Sequence, residues 1–197
     1  MFSYMPVGVN SPADLMLTVE QRERMYSFVR KMREEKPIFL MDFQNDGEFV
    51  GGCIAGGRRY LHINAAGDVE PCVFIHYSNA NIHEQSLLEC LKSPIFMKYY
   101  EEQPFNGNLL RPCPMLENPD ALESMVHESG ARSTDLEEKE PVEQLCGKCR
   151  NFADEWAPVA QELWEDPNDP RHSYREDITS NMSKSDTNKF KKLGRTL

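Results

Sequence analysis

The sequence predicts an α+β fold, in which a small β-hairpin and several helices surround a set of cysteine side chains. Two patterns support this fold class: an amphipathic helix followed by a short apolar strand, and later a hairpin pattern succeeded by helical periodicities. The third observation is that all six cysteines fall in the region after the first strand, and that five of them are candidate ligands. These are Cys53, Cys72, Cys113, Cys146 and Cys149.

Composition excludes several classes of function. The 197 residues carry a formal net charge of −10, which argues against non-specific nucleic-acid binding and against docking on anionic lipid. No apolar run approaches the roughly 18 residues that would suggest a membrane span. The first ten residues, MFSYMPVGVN, lack the basic and apolar regions of a secretory signal. We therefore expect a cytoplasmic protein with no nucleic-acid or membrane partner, whose cysteines are metal ligands or catalytic groups more often than disulfides.

The N-terminal segment predicts a helix followed by a strand. Thr18 and Gln21 have the spacing of a capping box at the start of the helix. Its predicted apolar face contains Met25, Phe28, Val29 and Met32. Pro37 ends the helix, and residues 37–43 form a continuous apolar run typical of a strand buried on both faces of a parallel sheet.

A glycine-rich stretch and a hairpin follow. Residues 47–57 contain five glycines around Cys53, and glycine lets the backbone approach a bulky group closely. Residues 58–64 and 69–74 predict two strands joined by a turn at 65–68. Cys72 lies on the return strand, and the glycine stretch is able to fold Cys53 back towards it.

The remainder predicts helices around an irregular loop. Short helices are expected from Ser86 to Lys92 and again from Pro94, and further helices after Pro119 and Pro141. The loop of residues 103–119 contains four prolines that frame Cys113. Residues 165–197 are polar and charged, which predicts a disordered tail.

The cysteines differ in their setting. Cys90 lies among leucines and is interpreted as a core residue. Cys146 and Cys149 form a CxxC pair but also lie on the apolar stripe of their helix, so both a ligand and a core role remain open. Cys53 and Cys113 lie in irregular backbone and Cys72 near a turn, where a chain wraps a metal centre. Four thiolates suit [2Fe–2S], [4Fe–4S] or Zn²⁺, and the wide separation in sequence favours iron–sulfur.

The run from Gly51 to Cys72 resembles the opening of a SPASM domain, the iron–sulfur extension at the C-terminus of many radical S-adenosylmethionine (SAM) enzymes. The opening motif of that family is Cys, nine to fifteen residues, Gly, four residues, Cys, and Cys53, Gly67 and Cys72 match it. The segments 81–89 and 111–115 are also similar to the family. The resemblance covers residues 48–164.

The resemblance implies one auxiliary [4Fe–4S] cluster here, because much of the family's downstream cysteine pattern is missing. Its implied ligands are Cys53, Cys72, Cys113 and a fourth from Cys146 or Cys149. It divides the chain into a remnant of a radical SAM β/α barrel (1–47), an iron–sulfur domain (48–164) and the polar tail (165–197). The cluster would transfer electrons or anchor substrate during radical modification of a peptide or small molecule.

One departure from the family concerns SAM itself. The CxxxCxxC motif that holds the SAM-cleaving cluster is absent, since no cysteine precedes Cys53. We therefore assign no catalytic residue, and expect SAM only in the intact family protein, an oxidoreductase or maturase. A separate radical SAM barrel chain is the expected partner. The alternatives are a non-catalytic zinc-binding interaction module and a metal-free cysteine-rich domain.

Overall fold

The computed structural model describes residues 3–177. In chain order the helices are α1 (Val19–Glu35), α2 (Gly47–Val50), α3 (Leu87–Cys90), α4 (Pro94–Glu102), α5 (Pro119–Ser129) and α6 (Val142–Glu165), with a 3-10 turn at Ala13–Leu15. The strands are β1 (His62–Ile63), β2 (Val69–Glu70), β3 (Tyr77–Ser78) and β4 (Arg132–Ser133). This confirms the α+β class. Within residues 3–177, no helix combines the length and apolar character needed to cross a membrane.

The capping box that starts α1 is confirmed. The Thr18 hydroxyl accepts the Gln21 N–H, and the Gln21 side chain accepts the Thr18 N–H in return. The predicted apolar face is only partly confirmed, because Val29 is buried whereas Phe28 is about half exposed. Arg22 and Tyr26 occupy the buried face instead.

The predicted strand at residues 37–43 is wrong. The backbone there has no strand pairing, and the apolar side chains that should be buried face outward, with Ile38 53% and Phe39 86% exposed. A strand needs a neighbouring strand to satisfy its N–H and C=O groups, and the described structure places no strand beside this segment. Whether residues 1–47 derive from a barrel therefore stays a prediction.

The hairpin is confirmed, although its strands are short. β1 and β2 are antiparallel, with His62 opposite Glu70 and Ile63 opposite Val69. Gly67 occupies the turn with φ +85°, and an added Cβ would lie 2.5 Å from the His83 ring. The motif glycine is thus required by both backbone conformation and space. A second two-stranded sheet pairs β3 with β4.

The main core lies between the hairpin and the helices α4, α5 and α6. Proline begins α4 and α5 as predicted, and Gly130 ends α5 in a left-handed conformation with φ +64°. A second, smaller core packs α1 against α6 around Tyr26 and Trp156.

The predicted tail is not disordered over its first part. Residues 166–177 follow α6 and return to α1 and α2, where the buried Arg175 guanidinium bonds to Glu48 Oε2 at 2.9 Å and to Tyr26 Oη at 3.0 Å. This contact could not be predicted from local sequence patterns, because the partners of Arg175 are distant in the chain. The prediction for residues 178–197 lies outside the described residues.

Candidate metal centre

Cys53 is brought towards the hairpin by the glycine stretch. α2 ends at Val50, and the next two residues, Gly51 and Gly52, adopt φ +74° and φ +108°. The chain then turns so that the Gly56 N–H donates to the carbonyl of Pro71 at 2.9 Å. Because Pro71 directly precedes Cys72, this bond joins the two ends of the Cys–Gly–Cys motif, as the sequence predicted.

Cys72 lies in the turn that follows β2, and a tyrosine holds its side chain. The Tyr60 hydroxyl donates to the Cys72 Sγ at 3.1 Å and accepts the Val73 N–H at 2.6 Å. Burial raises the pKa of the Cys72 thiol, and the Tyr60 hydroxyl and the amides of Phe74 and Val73 oppose that rise. Several donors therefore surround this sulfur.

Cys113 lies in the proline-rich loop, which partly buried hydrogen bonds hold in place. The Leu116 N–H donates to the Cys113 Sγ at 3.4 Å, and the Asn118 side chain donates to the Cys113 carbonyl at 3.0 Å. The Cys113 N–H donates to Glu117 Oε2 at 2.6 Å. The position of the sulfur is thus fixed by its own loop.

Arg22 anchors that loop to α1. Its guanidinium pairs with the Glu117 carboxylate at 2.5 Å, and both side chains are almost completely buried. Arg22 Nε also donates to Asn45 Oδ1 at 3.1 Å, and the guanidinium lies 4.1 Å from the Trp156 ring centroid. The ion pair therefore links three parts of the chain beneath Cys113.

Cys53, Cys72 and Cys113 line a single cavity of about 830 Å³ whose walls are largely apolar. The thiols lie close enough to influence each other electrostatically. Burial raises the pKa of Cys53 to about 12, with Cys72 adding to the rise. Burial, then Glu117 and Cys53, raise the pKa of Cys113 well above its ordinary value. All three thiols are therefore protonated at neutral pH unless a metal displaces the proton.

Cys146 and Cys149 lie in the core on α6 rather than in the cavity lining. Burial raises the pKa of each thiol to about 12. The charged neighbours of Cys146 include Glu123, on α5. Those of Cys149 include Glu117, the carboxylate that accepts the Cys113 amide. Of the five cysteines predicted as ligands, the structure brings three together and leaves the α6 pair beside them.

The arrangement surrounds a space and does not converge on a point. In the part of the chain that the structure describes, no three His, Cys, Asp or Glu side chains approach closely enough to hold one metal ion.

Cys90 is fully buried in the main core, as the sequence predicted.

Sequence reasoning missed two residues at this centre, Tyr60 and Glu117. Tyr60 gave no signal, since an aromatic residue before a strand is ordinary. Glu117 did leave one, because it is the only acidic residue in the proline-framed loop of residues 103–119. A buried carboxylate in such a place needs a donor or a cation, and here it has both.

Comparison with known proteins supports the resemblance. No curated protein and no solved structure matches the chain significantly. Residues 53–150 match the family model of SPASM, described as an iron–sulfur cluster-binding domain. The match begins at Cys53 and extends past Cys149, so it contains all five cysteines predicted as ligands. The chain therefore carries a SPASM-type iron–sulfur cluster-binding domain.

Proposed function

We propose that this domain binds one [4Fe–4S] cluster in the cavity lined by Cys53, Cys72 and Cys113, and acts as the auxiliary-cluster region of a radical SAM protein. The observation that carries the proposal is that three thiols distant in sequence line one largely apolar cavity. Each cysteine of a cubane cluster binds a different iron, so thiols arranged around a space suit a cluster better than a single Zn²⁺, whose sulfur ligands lie about 2.3 Å from one point.

The residues around the sulfurs also suit a bound thiolate. Backbone amides of Ala55 and Leu116 donate to Cys53 and Cys113, and the Tyr60 hydroxyl donates to Cys72. Such donors stabilise the negative charge that a thiol acquires when it binds metal. The largely apolar walls would limit the contact of these half-buried cysteines with water. A bound cluster would supply one-electron transfer or a site for substrate.

For the fourth ligand we propose Cys149 rather than Cys146. Glu117 contributes to the raised pKa of Cys149 and also accepts the Cys113 N–H. We therefore place Cys149 on the side of α6 that faces the Cys113 loop, and this favours it as the ligand. Cys146 has the acidic residues of α5, Glu123 and Asp120, as neighbours. Because neither residue lines the cavity, the first turns of α6 would have to move for either thiol to reach it.

The experiment is anaerobic reconstitution with iron and sulfide, followed by metal analysis. We expect about four irons and four sulfides per chain. Cys72→Ser should lose the cluster, Cys149→Ser should lose more of it than Cys146→Ser, and Cys90→Ser is the matched control that keeps it. Full occupancy in Cys72→Ser would overturn the ligand assignment, and stoichiometric zinc without iron would favour the zinc-binding interaction module.

We further propose that residues 37–43 pack against a radical SAM barrel on a separate chain, which would provide the CxxxCxxC cluster and the SAM site in the cytoplasm. The exposed side chains of Ile38, Phe39 and Met41 border the thiol cavity and would be buried there. Such a contact would also give this segment the neighbouring strand that it lacks. Phe39→Ser combined with Met41→Ser should abolish co-purification with a barrel protein from the same genome, and an unchanged complex would refute this contact. A peptide or small molecule remains the proposed substrate.

A further inference from the structure

Tyr60 contacts one of the cavity thiols through its hydroxyl group. The Tyr60 Oη lies 3.1 Å from the Cys72 Sγ and 2.6 Å from the backbone nitrogen of Val73. Because the Val73 N–H donates to the hydroxyl oxygen, the single phenol proton points away from Val73. The sulfur is the acceptor that the geometry gives it.

The tyrosine is held firmly enough to keep this contact. Its carbonyl accepts the Gly57 N–H at 3.1 Å, and its ring lines the same cavity as Cys53 and Cys113. Gly57 belongs to the glycine stretch that folds Cys53 towards Cys72, and its φ of +77° excludes most other residues. The position of the hydroxyl is therefore set by the same local structure that assembles the thiols.

We propose that the Tyr60 hydroxyl sets the reduction potential of the bound cluster by donating a hydrogen bond to the Cys72 sulfur. This inference rests on the proposed function. Reduction adds an electron and makes the cluster and its sulfurs more negative, so a fixed O–H donor stabilises the reduced state more than the oxidised one. The hydroxyl therefore raises the potential. Tyr60 is a positioning and tuning residue, not a cluster ligand.

The test is redox titration of the reconstituted full chain. Tyr60→Phe removes the hydroxyl and keeps the ring, and we expect unchanged iron and sulfide content with a lower midpoint potential. The expected change is roughly three- to tenfold in the one-electron equilibrium constant, or about 28 to 59 mV. The matched control is Tyr174→Phe, because Tyr174 is exposed and stacks on Arg171 in the segment after α6.

Two further measurements separate tuning from a structural role. Site-specific replacement of Tyr60 by 3-fluorotyrosine keeps the shape of the side chain and makes its O–H a stronger donor, so the potential should rise. In wild-type protein, electron–nuclear double resonance of the reduced cluster should show a proton that exchanges in D₂O and is lost in Tyr60→Phe. The 3-fluorotyrosine measurement remains interpretable even if Tyr60→Phe folds poorly through loss of the acceptor for Val73 N–H.

The outcomes are distinct. Equal potentials for the wild type, Tyr60→Phe and the fluorinated protein would overturn the role of Tyr60 while leaving the cluster intact. A wild-type chain that binds no iron and sulfide would instead overturn the proposed function. Opposite shifts in the two Tyr60 variants, with no shift in Tyr174→Phe, would support the inference.

Discussion

Replacing Glu117 by glutamine tests the buried ion pair that supports the Cys113 loop. The change removes one negative charge and keeps the shape of the side chain, whose amide oxygen still accepts the Cys113 N–H. The Arg22 guanidinium, only 1% exposed, then loses its counter-ion. Removing one partner of a buried pair costs about 3–5 kcal/mol. Arg22 keeps its bonds to Asn45 and to the Gln44 and Leu110 carbonyls, so we expect a loss near the lower limit, about 3 kcal/mol.

The assay is urea unfolding followed by circular dichroism. With a denaturant slope of about 1–3 kcal/mol/M, the loss lowers the midpoint by about 1–3 M. The matched control is Glu128→Gln, since Glu128 pairs with Lys98 on the surface and its loss should cost less than about 1 kcal/mol. Equal midpoints for the two variants would refute the reasoning, because a buried and an exposed ion pair would then contribute alike.

Three further predictions follow from the structure. Gly67→Ala should destabilise the protein by about 1–2 kcal/mol, because Gly67 has a φ of +85° and lies close to the His83 ring. The control Gly107→Ala should not, because the added methyl group would lie in open space. Equal unfolding curves for the two variants would contradict this prediction. The Glu70 carboxylate, 3.6 Å from His76 Nδ1, raises the pKa of His76, so the stabilising effect of this ion pair is complete below about pH 6.5 and is lost as the pH rises through the raised value. Burial opposes ionisation of Glu70, but the nearby His76 and the hydrogen bonds with Thr134 and His62 lower the pKa of Glu70 overall, so its contribution is lost as the pH falls through that lowered value. His76→Gln should therefore reduce the free energy of unfolding more at about pH 6 than at about pH 8.5, and a constant difference would argue against the pair. In metal-free protein, a Cys53 pKa of about 12 against the ordinary 9.0 predicts an alkylation rate about a thousandfold below that of a peptide thiol at pH 8, which peptide mapping after iodoacetamide treatment checks. Cys53 labelling as fast as glutathione would show that the thiol is not buried.

The elements that the sequence predicted correctly depend on residues close together in the chain. The capping box of Thr18 and Gln21 spans one helical turn, and the hairpin turn is completed within five residues, where Asn64 Oδ1 accepts the Asp68 N–H at 3.0 Å. Proline at the start of α5 and Gly130 at its end act in the same local way. Local backbone chemistry decides such features before any tertiary contact forms.

The errors arose where distant residues decide the outcome. The apolar run at 37–43 has strand composition, but pairing requires a neighbouring strand that the described residues do not provide. Arg22 of α1 is buried because it pairs with Glu117. That burial was not predicted because Glu117 lies 95 positions away in the chain. Arg175 is likewise buried because it pairs with Glu48, which is 127 positions distant in the chain.

By itself, the sequence determined the chemistry of this protein: the Cys53–Gly67–Cys72 spacing, the proline-framed Cys113 and the CxxC pair indicated a thiolate centre of SPASM type. Only the tertiary structure decided which thiols share a cavity and which groups surround them. Cys53, Cys72 and Cys113 line that cavity, while Cys146 and Cys149 of α6 lie in the main core. The physical reason is that residue type fixes what a side chain can bind, whereas its neighbours depend on contacts between segments far apart in the chain.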